Sequence, residues 1–268
     1  YRVRGDATLD PTEPEHSAGY PHPPVLDEPD IADLRARLTG AGLNPSPIPL
    51  GVDLTEWLAG GQTTWDAYPN SGQGKMDAET CGLAAALAHK NVTLRTDCPV
   101  ERLECEMDGK ITAVLLENGE RLTATHFVVA AGAVQTAALL LRSANDYFSG
   151  GIANQSDQVG RNFMNHNCSA VLALHPFRKN RRVYKKTLLL NDFYLPSQGK
   201  PPLGNVQMLG KITGPILAAT TPMPRWLATM VAARSFDFYA MSEDLPNPDS
   251  RVTLKDGQIK LDWQKSNW

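Results

Sequence analysis

The chain has 268 residues, of which 42% are hydrophobic and 21% charged, and its net charge is −3. These values are ordinary for a globular chain with one large domain or two smaller ones. No broad basic face is evident, which argues against nucleic-acid binding. No apolar run approaches the roughly 20 residues that span a bilayer, so no membrane segment is expected. The four cysteines lack the spacing of a metal site and are interpreted as buried thiols of a reduced protein, which favours a cytoplasmic location.

The first part of the chain is rich in proline. Residues 1–50 hold nine of the 20 prolines. Because proline removes a backbone donor, this part is expected to be an extended surface segment. One helix is predicted within it, over residues 29–38, with Ile31, Leu34 and Leu38 on one side. Residues 1–74 are therefore interpreted as an extended or lid-like segment and linker.

The next part, residues 75–165, changes from helix to short strands. Residues 77–90 are predicted to form a helix and residues 91–96 a strand. Three β-rich runs follow, separated by Asp108-Gly109 and Asn118-Gly119, and these turns predict an antiparallel meander over residues 100–124. The apolar run at residues 126–131 is typical of a buried parallel strand, and residues 133–143 are predicted to be a helix.

This order of elements favours one cofactor over another. A doubly wound FAD domain has a meander as one of its crossovers, whereas a plain NAD domain usually has a helix there. The predicted fold is therefore α/β plus α+β, beginning with part of a doubly wound FAD-binding domain. An NAD-dependent dehydrogenase stays open as an alternative, because a buried strand followed by a helix occurs in both.

Residues 166–268 contain more strands than helices. A helix is predicted at 222–233 and a hairpin turning at Asp256-Gly257. Further strands are predicted at residues 168–174, 186–195, 205–212 and 235–243. Hairpin-linked strands of this kind indicate an antiparallel sheet with helices on one side.

Residues 128–137 are the main candidate for a binding site. Small side chains at a strand-to-helix turn let a ligand approach the backbone, and the helix start presents N–H groups to a diphosphate. A turn that only packs a helix on a strand has the same pattern. A basic run between Arg178 and Lys186 is interpreted as a solvated loop. Trp57, Trp65 and Tyr68 are expected to line a substrate entrance or to belong to the core, and His166 is given no role as a base.

Two stretches carry a resemblance to a known family. VVAAGAVQTAALLLRS at residues 128–143 and SDQVGRNFMNHN at residues 156–167 resemble signatures of the GMC (glucose–methanol–choline) oxidoreductases. The segment Leu245–Val252 also resembles that family. Members near the sugar and polyol dehydrogenases are the most similar.

The resemblance implies an FAD domain at residues 75–165 and a substrate domain at residues 166–268, both partial. It implies that Ala131 and Gly132 lie near the FAD diphosphate and that the backbone of Val100 contacts the adenine side. No metal ligands are expected. The glycine fingerprint is expected before Tyr1 and the catalytic base after Trp268, so this central part is expected to be inactive alone.

The parent protein is thus expected to oxidise a small-molecule alcohol, a sugar or polyol, by hydride transfer to flavin. Its electron acceptor has no signal in the sequence. A non-catalytic binding module of the same fold remains the other alternative.

Overall fold

The computed structural model describes residues 2–53, 74–180, 186–196 and 201–266. The chain forms two compact units. Unit 1 comprises Tyr1–Val92 and Asn167–Ser242, and unit 2 comprises Thr93–His166 and Glu243–Trp268. Both have antiparallel sheets, and the fold is mixed α/β. The functional division into residues 1–74, 75–165 and 166–268 stays a prediction.

The described elements are these. The helices are α1 Pro29–Gly40, α2 Ala84–Leu87, α3 Gly132–Arg142, α4 Gly214–Thr220 and α5 Arg225–Ala232, and a π-helical turn, Ala78–Leu83, precedes α2. The strands are β1 Pro45–Pro47, β2 Val100–Cys105, β3 Ile111–Leu116, β4 Arg121–Leu122, β5 Asn167–Leu174, β6 Leu188–Leu190, β7 Asn205–Met208, β8 Ser235–Ser242, β9 Arg251–Lys255 and β10 Gln258–Asp262.

The sheet of unit 1 has five antiparallel strands in the order β1-β6-β7-β8-β5. Met208 and Phe238 are paired across β7 and β8, and both pack in the cluster that contains Ile31 of α1. Tyr239, the next residue of β8, packs instead in the cluster that contains helices α4 and α5. Successive residues of a strand point to opposite faces. Helices therefore cover both faces: α4 and α5 lie on one, and α1 from the first part of the chain covers the other, where no helix was predicted.

The difference comes from α1. Its existence was predicted correctly, but its proline-rich surroundings suggested a surface segment rather than a layer of this sheet. Pro29 stands in its first turn, where a missing N–H costs nothing, and Ile31 is fully buried. Helix α4 was missed, although Pro215 in its first turn is the same kind of signal.

The predicted meander is confirmed in unit 2. Strands β2, β3 and β4 form a three-stranded antiparallel sheet, and β9 and β10 form the predicted hairpin. Gly109 and Gly119 have φ angles of +85° and +84°, which turns of this kind require and which glycine adopts without strain.

The prediction of a buried strand at residues 127–131 is wrong for this structure. The segment pairs with no strand of the described residues, and Val128 is 90% exposed. A strand is assigned only where neighbours satisfy its backbone groups, and apolar sequence alone supplies no neighbour. A doubly wound sheet is accordingly not seen among the described residues.

Two other local predictions also need correction. Residues 91–96 form no strand, and the helix predicted over residues 77–90 is limited to the π-helical turn and α2. Residues 91–96 are exposed and have no paired strand in the described part of the chain, which removes the burial that a strand needs.

The four cysteines are free thiols, but none is buried: Cys168 is exposed and the others are partly exposed. Over the described ranges, no group of three or more His, Cys, Asp or Glu side chains is arranged to hold a metal ion. No helix in those ranges combines the length and the apolar character needed to cross a bilayer.

Candidate cofactor site

The candidate site is built on the segment 127–131 and the start of α3 in unit 2. Gly132 begins the helix with a φ of +79°, and a Cβ added there would meet no atom within 4 Å. No side chain caps the helix at Ala131. The N–H groups of the first turn have no intrahelical partners, so an uncapped start suits an anionic ligand.

Two grooves border this segment. The larger, of about 550 Å³, is lined by Val100 and Ala131 among others. The smaller, of about 480 Å³, is lined by Gly132. Val129 and Ala130 line both grooves, so the segment is a wall that they share. The structure thus brings two of the three predicted cofactor residues to one groove and the third to its neighbour.

The lining of the grooves fits a dinucleotide such as FAD. Apolar side chains, including Leu103, Val114 and Leu139, line the larger groove and suit an aromatic ring system. Small residues, including Gly132, Ala133 and Gly160, line the smaller groove, where they leave room for a diphosphate beside the backbone. The segment 127–131 therefore separates an apolar surface on one side from a surface rich in exposed backbone on the other.

Helix α3 is held against the meander by a buried hydroxyl. Ser143, 1% exposed, accepts the N–H of Leu103 through its Oγ at 2.8 Å and donates to the carbonyl of Leu139 at 2.7 Å. Leu103, Leu139 and Ile152 form the buried cluster of this unit. The sheet therefore anchors the C-terminal end of α3, and this anchor fixes the position of the start of the helix at Gly132.

Gly160 connects the smaller groove to strand β9. Its carbonyl accepts the N–H of Val252 at 2.8 Å. Its φ is +84°, and a Cβ added there would lie under 3.0 Å from the carbonyl oxygen of Val252, closer than Cβ atoms come to a neighbour. Only glycine combines this backbone angle with this contact. The two sequence motifs that contain these residues therefore pack on each other.

A carboxylate missed by the sequence analysis strengthens the same contact. Asp157 pairs with Arg161 of its own loop and with Arg251 of β9, whose Nη2 lies 2.7 Å from Oδ1. The hydrogen bonds from Arg161 and then from Arg251 lower the pKa of Asp157. The sequence did contain a signal for this ion pair, because Asp157 lies in the motif at residues 156–167 and Arg251 lies in the segment Leu245–Val252.

Asp244 fixes the chain just before His166. The side chain of Asp244 is 4% exposed and accepts hydrogen bonds from the Trp263 indole at 2.7 Å, the Ser266 hydroxyl at 2.7 Å and the Asn165 N–H at 3.2 Å. These donors, the Ser266 hydroxyl foremost, lower the pKa of Asp244 to about 2. His166 itself is exposed. Trp57, Trp65 and Tyr68 lie outside the described residues.

Comparison with known proteins identifies relatives of this chain. A family model described as GMC oxidoreductase matches residues 53–168. The 6'''-hydroxyparomomycin C oxidase of Streptomyces lividus is 34% identical over 157 residues, 54% of this chain. The paromamine 6'-oxidase of Streptomyces fradiae is 34% identical over 160 residues, 56% of this chain. The fructose dehydrogenase large subunit of Gluconobacter japonicus is 42% identical over 71 residues, 25% of this chain.

The matched stretches span 28%, 29% and 13% of the length of these three relatives. The family match contains the meander, the segment 127–131, helix α3 and Gly160. Members of this family bind FAD, in agreement with the form of the two grooves. Residues 53–168 of the chain therefore resemble the GMC oxidoreductases.

Proposed function

We propose that this chain is part of an FAD-dependent oxidoreductase that oxidises an alcohol, specifically a sugar or polyol. The observation that carries the proposal is the family match across residues 53–168, because that range supplies both grooves beside the start of α3. The names of the relatives support the substrate class: one is a fructose dehydrogenase and two are oxidases of paromamine and hydroxyparomomycin C.

Three residues are proposed to hold the cofactor. The open backbone at Ala131 and Gly132, with the uncapped start of α3, suits the diphosphate. The backbone of Val100, beside the apolar lining of the larger groove, suits the adenine side. Bound flavin supplies an acceptor for the hydride of the alcohol carbon. The residues of this chain bind and orient it, and we assign none of them to proton transfer.

The test is FAD binding by the protein purified from its complete reading frame. Gly132→Val should weaken FAD binding by roughly tenfold or more, because a branched side chain would occupy the space beside the turn. Gly119→Val is the matched control. Gly119 has a similar φ of +84° and equally open surroundings, but it lies in the hairpin between β3 and β4. The Gly119→Val variant therefore has the same backbone strain as Gly132→Val, but its new side chain does not enter a groove.

Flavin absorbance of the purified protein and fluorescence titration of the apoprotein give the readouts. Equal loss of FAD in the two variants would show that strain, and not groove access, controls binding. A protein without flavin absorbance that oxidises alcohols only with NAD would refute the cofactor assignment. Dye-coupled turnover of a sugar and polyol panel tests the substrate class, which fails if only simple aliphatic alcohols are oxidised.

A further inference from the structure

A loop in unit 1, residues 175–180, lines a cavity with basic side chains. The His175 N–H donates to the carbonyl of Arg234 at 3.0 Å. At the other end, Asn180 is 7% exposed. Its side-chain amide donates to the backbone carbonyl of Ser235 at 2.7 Å, and its backbone carbonyl accepts a hydrogen bond from Lys211 Nζ at 3.0 Å. Hydrogen bonds to Arg234, Ser235 and Lys211 thus hold both ends of the loop.

The imidazole of His175 organises the middle of the loop. Its Nδ1 lies 3.3 Å from the N–H of Phe177 and 3.1 Å from the N–H of Arg178. A backbone N–H only donates, so Nδ1 is the acceptor and the neutral ring carries its proton on Nε2. The ring therefore offers a donor, and not an acceptor, to any ligand that reaches Nε2.

The cavity beside this loop has a volume of about 240 Å³. Among the described residues, its charged lining has four cationic side chains and two carboxylates: Arg37, Arg178, Lys179, Arg234, Asp30 and Asp33. Arg37 and Asp33 form an ion pair at 3.0 Å. An excess of two positive charges remains among the described lining residues, and His175 also belongs to the lining.

We infer that this cavity binds the phosphoryl group of a small soluble molecule. A phosphate monoester carries a charge of about −1.5 to −2 at neutral pH and three acceptor oxygens, which matches the excess charge and the donors of the lining. The volume is below the roughly 300–1,000 Å³ of pockets for drug-sized ligands, so the ligand is small. Arg178 and Lys179, the first two residues of the basic run seen in the sequence, thereby belong to a binding site. None of the described residues lines both this cavity and a proposed FAD groove.

Inorganic phosphate is the probe, and its binding to the purified protein is measured by isothermal titration calorimetry at constant ionic strength. Replacing Arg178 and Lys179 together by Ala should weaken phosphate binding at least about tenfold, since each charge-assisted contact contributes strongly. The side chains of Arg178 and Lys179 are exposed, so the change leaves the core intact. The control replaces Arg225 and Lys90 by Ala, two exposed cations of the same unit outside the cavity.

Saturable phosphate binding that is lost in the cavity variant and kept in the control supports the inference. Equal losses in both variants, or equal binding of chloride, show a general charge effect and overturn it. Absence of saturable binding overturns it as well. Vesicles of phosphatidylcholine with phosphatidic acid distinguish the source: vesicle binding without binding of free phosphate excludes a soluble ligand. Lys179→Glu, which reverses one exposed charge, should also abolish binding, and unchanged binding in that variant contradicts the assignment.

Discussion

Gly160→Ala tests the contact between the loop at residues 156–167 and strand β9. Two costs add in this variant. The φ of +84° places an L side chain in the left-handed region, which costs roughly 1–2 kcal/mol. The new Cβ would also lie under 3.0 Å from the carbonyl oxygen of Val252 and 3.2 Å from its carbonyl carbon. Backbone must shift to relieve this overlap, which costs about 1–3 kcal/mol more.

Gly119→Ala separates these two costs. Gly119 has a similar φ of +84°, but a Cβ there meets no atom within 4 Å. This variant should lose only about 1–2 kcal/mol from backbone strain. Gly160→Ala is therefore expected to raise the equilibrium constant for local opening around residue 160 by a further factor of roughly 5 to 150. This factor is the equivalent of about 1–3 kcal/mol.

Amide hydrogen exchange followed by mass spectrometry is the suitable assay, because a chain with two compact units need not unfold in one step. The Val252 N–H, which donates to the carbonyl of Gly160 at 2.8 Å, should lose protection in Gly160→Ala. It should keep its protection in Gly119→Ala. Unchanged protection of the peptide at residues 250–255 in Gly160→Ala would refute the reasoning, since it would mean that the close approach does not exist.

Two further predictions concern buried polar groups. The pKa of Asp244 is lowered to about 2 in the folded protein. Between about pH 4 and pH 2 the unfolded chain therefore binds more protons at this residue than the folded chain does. As the pH falls through that window, the contribution of Asp244 to the stability of the fold is lost. Asp244→Asn should flatten this part of an acid-unfolding curve followed by tryptophan fluorescence, whereas the exposed control Asp146→Asn should not, and matching curves for the three proteins contradict the assignment. Ser143→Ala should destabilise unit 2 by about 1–3 kcal/mol, because the N–H of Leu103 loses its acceptor in the interior. Amide hydrogen exchange of peptides from unit 2 checks this against the exposed control Ser149→Ala, and equal protection in the two variants would exclude a stabilising role for the buried hydroxyl.

The amino-acid sequence by itself determined the local features of the fold. Asp108-Gly109 and Asn118-Gly119 place positive φ angles where the meander turns, so its three strands follow from neighbouring residues alone. Pro29 at the start of α1 and the small residues before α3 likewise marked where these helices begin. The motif around Gly132 indicated the resemblance to the GMC oxidoreductases for a related reason, because its pattern is contained within one short stretch.

Tertiary structure alone decided which distant residues meet. Residues 127–131 have the composition of a buried strand, but burial depends on neighbouring strands, and those among the described residues do not pair with it. The faces of the sheet in unit 1 depend on where α1 packs, some 200 residues from β8. The contact of Gly160 with Val252 depends on a chain crossing that no local pattern encodes. Propensity acts over a few residues, whereas burial and close approach are properties of segments brought together by the whole fold.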